Sequence, residues 1–153
     1  MGEFAERTQK PQPPEALNVL RKRGSYLDIN VENVTAKFKL YSGEAMDGTD
    51  TARDGLCEEL CEECAELVRL KVKPEVLQAE GTEGAGALES LAAAEAFFQL
   101  AALDSAAVPQ SVASSEIKIQ LGDRMGSAER LRREKRAACA GLLAEDGFYF
   151  GTA

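Results

Sequence analysis

Ala85-Gly-Ala-Leu-Glu-Ser-Leu-Ala-Ala-Ala-Glu-Ala-Phe-Phe-Gln-Leu-Ala-Ala-Leu103 carries four polar side chains: Glu89, Ser90, Glu95 and Gln99. The run is too long for a strand and rich in the strongest helix former, so it reads as an α-helix. A helix apolar nearly all round cannot offer a broad face to water, which makes it central or interfacial. Phe98 and Leu91 are expected among its most buried residues, with Leu88 next. Glu95 has two readings: the edge of the polar arc, or a hydrogen bond across a subunit interface.

The preceding stretch, Thr51–Val72, is the clearest amphipathic helix in the chain. Leu56, Cys57, Leu60, Cys61, Cys64, Leu67 and Val68 form one stripe, and Glu58, Glu59, Glu62, Glu63 and Glu66 lie outside it. Thr51 is the expected cap, with Asp54 three residues on, and Pro74 marks the stop. Upstream, Tyr26–Tyr41 carries two periods. Val34, Ala36, Phe38 and Leu40 alternate as in a strand, while Val31, Val34, Phe38 and Tyr41 keep helical spacing. The helix is preferred, since a strand here lacks a partner; Asn30 would cap it and Ser42-Gly43 would stop it.

Downstream, Pro74–Gly86 and Asp104–Ser115 read as loops. Glu116-Ile117-Lys118-Ile119-Gln120-Leu121 alternates and stops at Gly122-Asp123, which predicts a strand or hairpin arm. Ser127 would then cap a basic last helix running to about Ala144. Residues 1–14 hold three prolines and read as a disordered leader, and Ala16–Arg23 as a short helix ended by Gly24. The expected fold class is mainly α: a small helical bundle with a short extended segment or β-hairpin before the C-terminal helix. The expected domain spans 15–150, with 151–153 as a tail.

The chain has 153 residues and a net charge of −8. Charge is uneven: residues 41–123 hold 17 acidic against 5 basic groups, and 124–153 hold 4 against 6. The acidic balance disfavours non-specific nucleic-acid binding by the whole surface. There is no histidine, which removes the usual general base near neutral pH and the commonest metal ligand. No run approaches 18 wholly apolar residues, so no transmembrane helix and no membrane partner are expected. No signal peptide is expected either, and the four cysteines read as reduced thiols.

Cys57, Cys61 and Cys64 have cluster-like spacing, but on a helix Cys57 and Cys64 stand about 10 Å apart along the axis. A single tetrahedral metal needs sulfurs within roughly 4 Å of each other. The thiols therefore read as core, and no metal, cofactor or catalytic residue is assigned. Arg130, Arg132, Arg133, Lys135 and Arg136 could touch phosphates. Without interleaved aromatics they read instead as a solvated face, or one paired with a Glu-rich helix of the same or a neighbouring subunit. Phe148, Tyr149 and Phe150 are costly to leave in water, so they pack on the chain's own core or on a neighbour.

Taken in order, "LCEELCEECAELVRLKVKPE", "LESLAAAEAFFQLAAL", "SSEIKIQLGD", "SAERLRREKRAACAGLLAEDGF" and "FYFG" resemble the head-tail connector (head-completion, adaptor) proteins of tailed bacteriophages and prophages. The resemblance covers roughly residues 51–150. It implies a structural subunit, not an enzyme, forming a ring homo-oligomer between portal and tail-side completion proteins. DNA would pass nearby without sequence-specific binding. The implied setting is the bacterial host cytoplasm during assembly, then the virion. Interface candidates are Ile117, Ile119, Leu121, Arg130, Arg133, Arg136, Phe148, Tyr149 and Phe150. The competing readings are a small acidic helical binding or regulatory protein, monomeric or dimeric, and a cysteine-ligated metal or redox protein.

Overall fold

Asn30 starts the first helix by local chemistry. Its backbone is extended and its Oδ1 accepts the Glu32 amide at 2.8 Å. Helix α1 then runs Val31–Ser42 and ends at Gly43, whose φ of 82° is the left-handed conformation that glycine adopts cheaply. The helical reading of this ambiguous segment is thus the observed one, with both expected caps. The computed structural model describes residues 27–78, 84–108 and 115–144. The expected leader, the expected helix Ala16–Arg23 and the aromatic residues Phe148, Tyr149 and Phe150 lie outside them.

Helix α2 spans Thr51–Lys71. Asp50, not Thr51, caps it: its carboxylate accepts the Arg53 amide at 3.1 Å. An ionised cap one residue earlier also complements the positive end of the dipole, which a hydroxyl does less well. The stripe is buried at Cys57, Leu60, Cys61, Cys64 and Val68, whereas Leu67 is 48% exposed, on the rim rather than in the core. Pro74 does stop α2, but it also begins a five-residue helix α3, Pro74–Gln78, where a loop was expected. Proline at a first helical position loses nothing, because that amide has no partner inside the helix.

Helix α4 spans Ala85–Ala107 and is the centre of the bundle: α1, α2 and the last helix, α5, all pack on it. Leu88, Leu91, Ala92, Ala93, Ala96 and Leu100 are buried. By length and composition α4 could cross a membrane, unlike the expectation from runs alone, yet 61% of its most apolar window is buried inside the protein. It is a core helix. Phe98, expected among the most buried residues, is only partly buried and lies under Arg132 of α5, while its neighbour Phe97 is buried.

The largest correction concerns the segment before the basic helix. Residues Ser115–Ala138 form one continuous helix, α5, with no extended arm; Gly122, Asp123 and Ser127 all lie within it, and it ends before the expected Ala144. An extended arm needs a neighbouring strand to satisfy its amides. The described residues offer only an isolated bridge between Val72 and Leu143. A helix satisfies those amides internally. It also places Leu121, Met125, Ala128 and Leu131 at helical spacing, where Ala128 is buried and Met125 and Leu131 pack on the core. A mainly helical bundle is what the chain forms.

Candidate interaction surface

Each face of α5 has a different role, set by what α4 presents to it. On the inner face, Arg132 lies over the Phe98 ring at 4.2 Å from its centroid and 3.7 Å from a Glu95 oxygen. One turn on, Arg136 donates to the other Glu95 oxygen at 2.8 Å. Lys135 sits 5.7 Å from the Tyr41 ring centre. Cys139 donates its thiol to the Ala87 carbonyl at 3.3 Å. Glu95 is therefore the carboxylate on which α5 is seated, within one chain rather than across subunits.

Nearer its start, α5 is tied to the other end of the bundle. Arg124 donates to the Ser42 carbonyl at 3.3 Å, approaches Glu44 at 3.7 Å and lies 5.2 Å from the Phe97 ring centre. Glu44 is shared with Arg53, which also grips Asp104 through two bonds of 2.7 and 2.9 Å. The Arg53 hydrogen bonds hold the Asp104 carboxyl below its ordinary range. Arg53, Glu44, Asp104 and Arg124 thus join all four long helices at one corner.

The outward face of α5 carries Ile119, Gly122, Gly126, Arg130 and Arg133, all exposed. Arg133 bonds Glu129 one turn back at 3.2 Å, and Arg130 makes no ion pair among the described residues. Ile117 and Leu121 share the inner side by spacing, one exposed and the other half-buried, while Ile119 faces the opposite way. The structure therefore splits the expected interface set. Ile119, Arg130 and Arg133 share one surface; Arg136 is engaged with Glu95; Leu121 belongs to the packed side; the aromatic tail lies outside the described residues. Within the chain the basic run meets the Glu95 carboxylate of the apolar α4, and among the described residues not those of the Glu-rich α2.

On α2, Glu59, Glu62, Glu63, Glu66 and Leu70 face outward, away from the thiol stripe. Burial pushes the Cys61 thiol up to about 11 and the Cys64 thiol up to about 12. Cys57 and Cys139 are likewise raised by burial. All four sulfurs are buried, so they are poor nucleophiles at neutral pH. Among the described residues, no three His, Cys, Asp or Glu side chains are grouped to hold a metal ion. A small cleft of about 50 Å³ lies between α2, α4 and the end of α5, bordered by Leu67, Lys71, Glu95 and Leu143.

Glu89 is the polar residue whose role the sequence did not disclose. It is buried, accepts the Asn30 amide at 2.9 Å and the Asn33 side-chain amide at 3.2 Å, and so anchors α1 to α4. Its available signal was an acidic residue between buried positions of an apolar helix. No family model, curated protein or solved structure matches this chain.

Proposed function

We propose that this chain is a structural assembly subunit, of the head-tail connector kind that its order of parts resembles. The observation that carries the proposal is the outward surface of α5, where Ile119 is 63% exposed and continuous with Arg130 and Arg133. An exposed isoleucine with two exposed arginines on the same helix face would suit a partner that offers an apolar side chain and carboxylates. Helix α5 is held between Arg124, at the Glu44 corner, and Arg132 and Arg136, on Glu95, so Arg130 and Arg133 are presented without reorganising, and Ile119 stands on the exposed first turns before that span. The first turns of α5, where an extended segment was expected, would make the contacts to the neighbouring component in this reading.

The test is co-sedimentation with portal-bearing capsids from the same genome. The wild-type chain should pellet with them, and Ile119→Asp should bind at least tenfold more weakly with an unchanged circular-dichroism spectrum. Equal binding by both would remove this surface from the contact. No binding by either would overturn the connector reading and leave the alternative, a small acidic helical binding protein whose solution mass stays that of a monomer or dimer.

A further inference from the structure

Two exposed helix faces of this chain complement each other and cannot meet within one molecule. α2 and α5 each pack on α4, and their outward faces point away from it. The α5 face begins with Ile119 and reaches Arg130 eleven residues later. The α2 face ends with Leu70, which is 72% exposed, and Glu59 stands eleven residues before it. Eleven residues of helix span about 16 Å in both cases. Laid antiparallel, the two faces put Ile119 on Leu70 and Arg130 on Glu59 together. Laid parallel, each isoleucine or leucine would meet a charge instead.

We infer that the outward face of α5 docks antiparallel on the outward face of α2 of a second copy of this chain. Gly122 and Gly126 lie between the two anchor points, with nothing within 4 Å of where a Cβ would stand, so the helices can approach closely there. Asp123 falls opposite Glu66 in this register, a like-charge meeting that keeps the contact modest. A single helix pair also buries less than the roughly 1,600 Å² of a standard interface. The two patches differ, so a dimer still has one of each open, and the contact propagates to a ring or a filament. The inference rests on the assembly reading for its setting, though the contact itself involves this chain alone.

Charge reversal with rescue tests it. Sedimentation velocity of the full chain at low salt, over a concentration series to about 1 mM, should show concentration-dependent growth that salt suppresses. Glu59→Arg alone and Arg130→Glu alone should each weaken association about tenfold, since attraction becomes repulsion. Mixing those two variants, or combining both changes in one chain, should restore it. As a register check, Leu70→Cys mixed with Ile119→Cys should be joined by a short bis-maleimide, and Glu59→Cys mixed with Ile119→Cys should not. The native thiols are buried and stay silent. Absent association, reversal without rescue, or equal joining in both mixtures would overturn this contact. Capsid binding measured separately would still stand or fall by itself.

Discussion

Glu89 shows how one side chain sets the angle of a whole element. Its carboxylate takes the Asn30 amide, a donor that an isolated helix start leaves unsatisfied, and does so from the positive end of the α1 dipole. Glu89→Leu keeps the volume roughly constant but removes the acceptor of the part-buried Asn30 and Asn33 amides, at a cost of about 1–3 kcal/mol. Glu89→Gln keeps an acceptor oxygen and should recover most of that loss. Urea unfolding of both variants checks this; equal destabilisation would mean that charge, not acceptance, is what matters. At this scale the thiols were legible, because Cys57, Cys61 and Cys64 fall on the leucine stripe, and all are buried. Phe97 and Phe98 were not separable, since adjacent residues on an apolar helix differ by only about 100° and the arginines over their rings, Arg124 and Arg132, come from a distant segment.

Elements were legible wherever their ends are chemically marked. The Asn30 cap and the Gly43 stop mark both ends of α1 within the local chain, and they agree with the helix preferred there for want of a strand partner. α5 was different. Ile117, Ile119 and Leu121 alternate as a strand would, and Gly122 looks like its end. What makes the segment helical is long-range: Arg124 reaching Ser42 and Glu44, and Ala128 seated in the core. Glycines inside such a helix weaken it by about 0.5–1 kcal/mol each relative to alanine. A Cβ at Gly126 would meet nothing within 4 Å in the single subunit. Gly126→Ala should therefore raise the melting temperature of the dilute protein by roughly 2–5 °C. An unchanged or lower value, measured by circular dichroism at 222 nm, would mean that this part of α5 is not helical in solution.

Across the whole molecule, stability should fall off at both ends of the pH scale for separate, locatable reasons. On the acid side the group is Asp104, whose folded pKa lies below its unfolded value because Arg53 bonds the charged form. The folded state then binds fewer protons than the unfolded chain, so this contribution is fully present above the unfolded carboxyl pKa of about 3.9. It is lost as pH falls through the lower, folded value. Asp104→Asn removes that linkage: the variant should be less stable than wild type at pH 7, and the gap should narrow as pH falls below the unfolded carboxyl value. On the alkaline side the groups are Cys61 and Cys64, raised by burial to about 11 and about 12. Their unfolded thiols ionise near 8.5, so the unfolded chain sheds protons that the folded one keeps. Stability is intact below about pH 8.5 and declines as pH rises toward those folded values. Urea midpoints at constant slope, taken from pH 3 to pH 10, trace both limbs. Asp104→Asn should change the acid limb alone, because Cys61 and Cys64 are raised mainly by burial and lie about two and three turns along α2 from Arg53. An acid limb that runs parallel in both proteins would show that Arg53 holds Glu44 and Asp104 by geometry without differential proton binding, and would assign acid unfolding to the other carboxylates.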